Sequence, residues 1–364
     1  MSALGGLVVA DFGRVLAAPY ATMMLADLGA EVVKVEHPRG DETREWGPPH
    51  AHGHATYYLS VNRNKESRTI DLATPAGVAA ARELVLGADV LVENFRPGTM
   101  RRFGLDYESL RDVHKGLVYC SVTGFGSGAG AALPGYDLLV QAVGGLMSVT
   151  GADEPTKVGV ALVDVLTGVH AALGVLAALR HRDRTGCGQR VEVDLLSVLL
   201  SGMANQSAGY TLAGVVPGRL GNRHPSIAPY EVFPTADAPL ALAVGNDRQF
   251  TRLCAALDVP PDDRFATNAL RVAHVDALSG LLAARLRTRP AGDWTALLTP
   301  LGVPCGPVND LAGAFALAES LGLDPVAEVG GMRLPANPIR LSATPATYRR
   351  PPPDRAGPPG PANR

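Results

Sequence analysis

Asp164 is the residue of this chain whose setting most suggests chemistry. It lies inside residues 158–179, the most apolar stretch of the sequence, where a carboxylate must be satisfied by partners or serve a function. At the start of a predicted helix over 164–180, its side chain could simply be the N-cap. The two roles are compatible, because a carboxylate that accepts backbone N–H groups stays ionised, and an ionised carboxylate can act as a nucleophile.

A second candidate site follows a predicted strand at 90–93. The run Asn94-Phe95-Arg96-Pro97-Gly98 comes directly after this strand, with Arg101 and Arg102 close behind. At the end of a parallel strand these residues could form a site in which arginines meet phosphate and Phe95 stacks on a ring. They could equally form a capped turn with a solvated basic surface. The residues alone leave both interpretations open.

Two further motifs point less strongly to function. Gly124, Gly126, Gly128 and Gly130 follow a predicted strand, but their spacing differs from G-x-G-x-x-G and no helix follows, so a flexible loop near a ligand is favoured over a nicotinamide or flavin site. The second motif is the alternating set His50, His52 and His54. On a strand these side chains would share one face and could bind zinc, but no carboxylate or cysteine lies within a few residues. A solvated loop is therefore favoured, and no metal site is predicted.

The first 125 residues indicate the scaffold that would position these groups. Short β-branched runs at 6–12, 31–36, 90–95 and 117–122 alternate with helical patterns at 19–28, 74–87 and 107–115. The long helix over 164–180 and a strand over 191–195 come later. This alternation predicts an α/β fold with a parallel sheet and right-handed crossovers, in which ligands bind at the carboxyl ends of the strands.

The second half of the chain predicts a separate, smaller unit. Residues 205–229 lose periodicity and gain Gly, Pro, Ser and Asn, which indicates a linker. A hairpin is predicted from 231–234 and 240–244, followed by helices up to 257, over 273–286 and over 292–299. The last 14 residues, 351–364, contain six Pro and two Gly and are predicted to form a disordered tail.

Composition excludes several classes of protein. With 364 residues, 33 basic against 35 acidic side chains and 46% apolar content, the chain lacks a strongly basic nucleic-acid footprint and cannot be disordered throughout. Its four isolated cysteines favour free thiols in a reducing compartment. The N-terminus has no secretory pattern, and Asp164 with His170 argues against a membrane span. We therefore expect a cytoplasmic enzyme or binding protein.

At this point the motifs resemble those of the family III CoA transferases. The resemblance covers nearly the whole chain apart from the tail, and the Glu-Asn-Phe-Arg-Pro-Gly run and the spaced Asp with Thr-Gly make it specific. The matching segments are 9–12, 18–19, 28–36, 62–65, 71–72, 89–98, 135–137, 150–151, 164–168, 186–189, 221–222, 229–230, 245–247 and 302–308.

The resemblance implies a Rossmann-like large domain with a parallel sheet, formed by residues 1–204 and completed by about 325–350. A linker over 205–229 and a smaller α/β domain over 230–324 would follow. It also implies an interlocked homodimer of two ring-like chains.

The resemblance further implies the chemistry. Asp164 would attack an acyl-CoA thioester, giving first a mixed anhydride and then an aspartyl-CoA thioester that an acceptor acid resolves. CoA and acyl-CoA would be substrates, with no tightly bound cofactor. Motif matching assigns CoA contacts to Val15, Asn94, Phe95, Gly98, Arg102 and Tyr136. Arg96 and Arg39 are added on charge alone, and His37 stands where relatives often have arginine.

The sequence says less about the identity of the acceptor acid, and two other functions remain as alternatives. Residues 223–230 lack the glycine run of formyl-CoA transferases and look more like branches that handle succinate, glutarate or malate. Asp137, Arg223 and His224 are candidate substrate contacts, although Arg223 and His224 could equally be solvated linker residues. An α-methylacyl-CoA racemase is the main rival, but Tyr136 stands where its catalytic histidine would be. A catalytically silent CoA-binding subunit is the other.

Overall fold

The structure is a computed structural model that describes residues 2–355. Over this range the chain divides into two compact units. The first combines residues 2–146, 158–215 and 323–355, and the second combines 147–157 and 216–322. The sequence placed 147–157 in the large domain. This segment joins the second unit instead, because Gly221 donates its backbone N–H to the Gly151 carbonyl at 3.0 Å.

The strands and helices follow in chain order. The strands are β1 (Val8–Phe12), β2 (Glu31–Glu36), β3 (His50–Ala51), β4 (His54–Ala55), β5 (Lys65–Thr69), β6 (Val90–Glu93), β7 (Val118–Thr123), β8 (Arg190–Asp194), β9 (Tyr230–Pro234), β10 (Pro239–Ala243), β11 (Cys305–Pro307), β12 (Val326–Val329) and β13 (Met332–Pro335). The helices are α1 (Ala17–Asp27), α2 (Thr56–Ser60), α3 (Pro75–Leu86), α4 (Thr99–Arg102), α5 (Tyr107–Leu110), α6 (Asp137–Val143), α7 (Leu146–Val149), α8 (Leu162–Thr185), α9 (Leu195–Gly202), α10 (Ala204–Ala213), α11 (Asp247–Ala256), α12 (Asn268–Ala273), α13 (Val275–Leu286), α14 (Ala291–Leu298) and α15 (Leu311–Ser320).

A six-stranded parallel sheet organises the first unit. Its strand order is β5-β2-β1-β6-β7-β8, and every neighbouring pair is parallel. The chain runs outward from β1 through β2 to β5 and then returns to β6 on the other side of β1. The strand order therefore reverses between β1 and β6, which is the point where ligands bind in such sheets. The predicted parallel sheet is confirmed.

Apolar side chains cover both faces of this sheet. On one face, Val9, Val92 and Val118 pack against α1 and α8 through residues such as Leu25 and Val175. A second cluster covers the opposite face and includes Phe12, Leu91, Val85 and Leu110. Burial on both faces explains why these strands read as valine-rich runs with little alternation. It also holds the strand ends in fixed positions relative to one another.

Helix α8 is the longest helix of the described residues. By length and apolar composition alone it could cross a membrane, and 44% of its most apolar window is buried inside the protein. Gly168 brings it close to α1, because a Cβ there would lie 2.7 Å from the Ala17 carbonyl oxygen. This close approach places the second turn of α8, one turn after Asp164, beside the first turn of α1.

The second unit contains a three-stranded antiparallel sheet in the order β11-β10-β9. The predicted hairpin is confirmed, with Leu240 opposite Phe233 in the β9–β10 register. Asn246 caps α11 as its side-chain oxygen accepts the N–H of Gln249 at 3.0 Å. The core of this unit gathers Phe233, Trp294, Leu282 and further apolar residues of α11, α13 and α14.

The structure corrects three details of the sequence-based prediction. The predicted linker begins too early, because α10 extends to Ala213 before the chain becomes irregular. The strand β5 escaped notice because its sequence, Lys-Glu-Ser-Arg-Thr, is polar and only Lys65 among its residues is buried. Part of the predicted tail contacts the protein, because Pro352 is buried and the Pro353 carbonyl accepts hydrogen bonds from Arg44 and Tyr58, each at 3.2 Å. The rest of that tail, 356–364, lies outside the described residues.

Candidate active site

A cavity of about 360 Å³ opens at the switch point of the sheet in the first unit. The segments after β1, β6 and β7 line it together with the start of α8. The structure thereby brings together Asp164 and five of the predicted CoA contacts, which lie far apart in the sequence. Those five are Val15, Asn94, Phe95, Arg96 and Tyr136. The glycine-rich loop also lines this cavity, through Gly124, Gly126 and Gly130.

A second cavity, of about 570 Å³, shares Arg14, Phe95 and two other wall residues with the first. Its wall contains three more of the predicted contacts: His37, Arg39 and Arg102, all exposed. Gly98 lies between Pro97 and Thr99, which line the first cavity, and its φ of 85° is in the left-handed region that favours glycine. The two cavities thus form neighbouring parts of one strand-end surface.

Asp164 lies in the first turn of α8 and is half-buried. The expectation that it caps this helix is wrong, because the helix begins at Leu162 and Ala161 occupies the N-cap position without a side-chain hydrogen bond. The expectation of a fully ionised carboxylate is also wrong. Burial, and secondarily the charge of Asp137, raise the pKa of Asp164 to about 7. Protonation therefore competes with the nucleophilic form near neutral pH.

Asp137 performs the capping that the sequence assigned to Asp164. Its Oδ1 accepts the N–H of Val163 at 2.8 Å and that of Asp164 at 3.3 Å, and its Oδ2 accepts Nε2–H of Gln141 at 2.7 Å. Gln141 in turn accepts the N–H of Val158 at 2.9 Å. These contacts fix the start of α8, and with it the position of Asp164, from outside the helix.

Tyr57 is a neighbour of Asp164 that the sequence analysis missed. Burial, followed by the charges of Asp164 and Asp137, raises the pKa of its hydroxyl to about 12, so it stays protonated. The Trp46 ring lies edge-on to it at 5.3 Å. Two aromatic residues in a segment rich in glycine and histidine were the available signal, but only the fold brings that segment to Asp164.

The side chain of Asn94 links two segments of the protein. Its Oδ1 accepts the N–H of Arg14 at 2.9 Å, and its Nδ2 donates to the carbonyl of Arg14 at 2.8 Å. These two bonds hold the segment after β1 against the segment after β6. One Nδ2 hydrogen and one Oδ1 lone pair remain available to a ligand, so a contact of Asn94 with CoA stays a prediction.

Comparison with known proteins decides the family. The family model "CoA-transferase family III" matches residues 4–357. The chain belongs to CoA-transferase family III. This transferase is 44% identical to the succinate–glutarate CoA-transferase of Agrobacterium fabrum over 96% of its own length and 92% of the relative's.

Other relatives agree with this assignment. The family III CoA-transferase is 39% identical to the human succinyl-CoA:glutarate CoA-transferase, over 96% of this chain and 83% of that protein. It is also 39% identical to the acetyl-CoA:oxalate CoA-transferase of Acetobacter aceti, over 95% and 91%. A CaiB/BaiF family structure from Brucella suis superposes with a TM-score of 0.88 at 40% identity, over 97% of this chain and 96% of that one.

The remaining predicted site residues of the transferase lie elsewhere. Arg223 and His224 belong to the second unit, where Arg223 is ion-paired with Glu231 at 3.1 Å and Asp276 at 2.6 Å. The ring of His224 lies 5.2 Å from that of Tyr230. Their part in acceptor binding stays a prediction.

The three alternating histidines do not share one strand face. They lie on the β3–β4 hairpin with His52 at its turn, and His54 Nε2 lies 2.9 Å from Asp354. Among residues 2–355, no three potential metal ligands lie together. The four cysteines of the chain, Cys120, Cys187, Cys254 and Cys305, are unpaired in the described residues.

Proposed function

We propose that this transferase moves CoA from an acyl-CoA donor to a dicarboxylic acid acceptor, with Asp164 as the covalent carrier. The observation that carries the proposal is a half-buried carboxylate of raised pKa in a cavity at the switch point of a parallel sheet. The names of the succinate–glutarate, succinyl-CoA:glutarate and acetyl-CoA:oxalate relatives support a dicarboxylate as one substrate.

The exchange proceeds through two kinds of aspartyl intermediate. An oxygen of Asp164 attacks the thioester carbon, the C–S bond breaks, and CoA thiolate leaves behind a mixed anhydride. The thiolate then attacks the aspartyl carbonyl and releases the donor acid, which leaves an aspartyl-CoA thioester. The acceptor carboxylate attacks that thioester and expels CoA thiolate, which forms a second mixed anhydride. The thiolate then attacks the acceptor's carbonyl in this anhydride, which gives the acceptor's CoA thioester and restores the Asp164 carboxylate. Together these steps replace one difficult exchange by a series of easier acyl transfers.

The surroundings of Asp164 suit these steps. Burial leaves its carboxylate poorly hydrated, so less water must be removed before attack, and anhydrides survive only where water is excluded. Helix α1 begins at the same cavity and, within the described residues, no side chain caps its N-terminus. Its free backbone N–H groups are suited to stabilise the oxyanion of each tetrahedral intermediate.

The two cavities differ in the predicted CoA contacts that line them. The larger one contains Arg39, Arg102 and His37, which suit the phosphates of the nucleotide portion. The smaller one contains Val15 and Tyr136, which suit the less polar pantetheine arm, and also Arg96. Phe95 lines both cavities. We propose that CoA lies across both, with its sulfur at Asp164.

A homodimer is part of the proposal. Large apolar side chains stand exposed on three helices of the first unit, with Leu173 of α8 63% exposed, Leu200 of α9 47% and Leu212 of α10 87%. Apolar patches of this kind mark interaction sites. They support association with a second copy, which the resemblance describes as interlocked. The cytoplasmic location also stays a prediction.

A donor–acceptor panel tests the proposed activity. Purified enzyme is incubated with succinyl-CoA, glutaryl-CoA or acetyl-CoA and with each of several mono- and dicarboxylic acids, and the acyl-CoA products are identified by mass spectrometry. We expect transfer to at least one dicarboxylate and none by Asp164→Asn. Exchange of α-protons in deuterated water without transfer would support the racemase instead. CoA binding with neither reaction would support the silent subunit.

A further inference from the structure

Residues 13 and 14 follow directly after β1. Side chains form hydrogen bonds with both backbone N–H groups and both backbone carbonyls of these two residues. The N–H of Gly13 donates to Asp11 Oδ1 at 2.8 Å, and its carbonyl accepts from Lys34 Nζ at 2.9 Å. The N–H and carbonyl of Arg14 are held by Asn94 at 2.9 Å and 2.8 Å. Loops seldom receive so many side-chain contacts, because most of their backbone groups bond to water or backbone.

Val15 explains why such restraint is needed. Its φ is 66°, in the left-handed region that a β-branched residue rarely adopts. Strained conformations of this kind persist only where the surroundings fix them, and they cluster at functional sites. Arg14, Val15, Leu16 and Ala17 all line the cavity that contains Asp164. The strained loop therefore forms the wall that faces the candidate nucleophile.

Lys34 joins this wall to the neighbouring cavity. It is fully buried, and Nζ also lies 2.9 Å from Asp41, which caps the turn Glu42–Glu45. Burial alone would lower its pKa, but the charges of Asp41, Asp11 and Glu36 together raise the pKa above its ordinary value. Lys34 is thus a buried ammonium group that connects Gly13, beside the smaller cavity, with Asp41 in the wall of the larger one.

We propose that Lys34 and Asn94 are positioning residues of the transfer reaction, which hold the strained Gly13–Val15 backbone against Asp164 without touching the reacting atoms. This inference rests on the proposed function. It predicts that loosening either contact slows the acyl transfer step more than it weakens CoA binding, because a shift of about 1 Å in a reacting group can cost roughly 100-fold in rate.

The chain offers a matched control for a purely structural role. Arg63 is another buried cation of the first unit, 3% exposed and paired with Asp27 at 2.6 Å. Its remaining hydrogen bond goes to the Pro335 carbonyl at 2.8 Å, and it lines neither cavity. Arg63→Met should destabilise the unit at least as much as Lys34→Met and leave the loop after β1 in place.

The test compares Lys34→Met, Asn94→Ala and Arg63→Met with the wild type. Two quantities are measured: the single-turnover rate at which acyl-CoA forms a CoA adduct on the protein, and the CoA dissociation constant by calorimetry. We expect Lys34→Met and Asn94→Ala to form the adduct about 10- to 100-fold more slowly, with the dissociation constant changed less than about threefold, and Arg63→Met to react at the wild-type rate. The double variant should lose less than the product of the two single effects, because both contacts act on one loop.

The outcomes separate this inference from the proposed function. If the wild type forms no adduct with any acyl-CoA, the proposed function fails. If the wild type reacts and Asn94→Ala reacts within about threefold of it, the positioning role is overturned. The same holds if the rate loss is matched by an equal loss of CoA affinity, which would make Asn94 a ligand contact. Asn94 is only half-buried, so this variant should fold even if Lys34→Met does not.

Discussion

The carboxylate of Asp137 accepts the backbone N–H of Asp164 at 3.3 Å, so one acid fixes the helix turn that carries the other. The contact favours attack by Asp164 in one way and opposes it in another. It holds Asp164 at the cavity by capping α8, and its negative charge adds to the burial that raises the pKa of Asp164 to about 7. Position and ionisation of the candidate nucleophile are therefore linked through a single neighbour.

The first prediction concerns the pH dependence of acylation. Only the ionised carboxylate attacks, so kcat/KM for the acyl-CoA donor should rise with pH and reach half its maximum near pH 7. At pH 5 it should be about 100-fold below the plateau. The measurement is an initial-rate profile from pH 5 to 9 at low donor concentration. If kcat/KM stayed constant over this range, acylation would not depend on the ionisation of Asp164.

A matched substitution tests the cause of that pKa. Asp137→Asn keeps an oxygen that can accept the N–H groups of Val163 and Asp164 but removes the charge. The midpoint of the profile should move to lower pH, by less than burial contributes, because burial is the larger of the two causes. An unchanged midpoint would show that the charge of Asp137 has no influence on Asp164.

The second prediction concerns stability. The pKa of Asp164 is raised in the folded state, so its contribution to stability is fully present below the unfolded pKa of 3.8 and is lost progressively as pH rises from there to about 7. Asp164→Asn removes the cost of burying a charge and should stabilise the protein by about 2 kcal/mol at pH 8. The gain should fall to less than half of this value at pH 5 and vanish only below the unfolded pKa of 3.8.

Calorimetric melting temperatures at pH 5 and pH 8 check this prediction. Asp183→Asn, at the exposed far end of α8, is the control and should show the same difference from wild type at both pH values. Equal melting temperatures of wild type and Asp164→Asn at pH 8 would contradict the raised pKa.

The third prediction concerns the close approach of α8 to α1. In Gly168→Ala the new Cβ would lie 2.7 Å from the Ala17 carbonyl oxygen, a backbone atom that cannot yield without moving α1. We expect a loss of about 1–3 kcal/mol in stability and a slower acylation step, because Asp164 lies one turn away. Gly280→Ala in α13 is the control. A Cβ there meets nothing within 4 Å, so stability should rise by up to about 1 kcal/mol and the rate should not change.

The fourth prediction concerns the oligomer. Light scattering on the purified protein should give about twice the chain mass of 37.9 kDa, because the exposed leucines of α8, α9 and α10 need a partner. A monomer at micromolar concentration that still catalyses transfer would contradict the dimer.

The scaffold was readable from the sequence because its signals are local. The strand at Glu31–Glu36 and the hairpin of the second unit follow from β-branched runs and turn residues a few positions apart. The capped start of α3 at Thr74-Pro75 follows from two adjacent residues, and the Thr74 side chain does accept the N–H of Gly77. Strand β5 was missed because one buried lysine among polar residues gives no apolar pattern.

The candidate site was predictable only in part. Asp164 stands out because a lone acid in an apolar stretch must be satisfied or functional. Asn94 and Phe95 were predicted because ligands bind at the carboxyl ends of parallel strands, and these residues directly follow a strand. The capping of α8 by Asp137 and the nearness of Tyr57 are contacts between distant segments, so no local pattern contains them. The raised pKa of Asp164 depends on those contacts and on burial, and it reversed the expectation of a fully ionised group.

The most direct test is the mass of the protein after incubation with an acyl-CoA donor. Peptide mapping by mass spectrometry should place an added CoA, less one water, on the peptide that contains Asp164, and addition of an acceptor acid should remove it. Asp164→Asn should bind CoA and carry no such mass. An adduct on any other residue, or transfer at the wild-type rate by Asp164→Asn, would contradict the account.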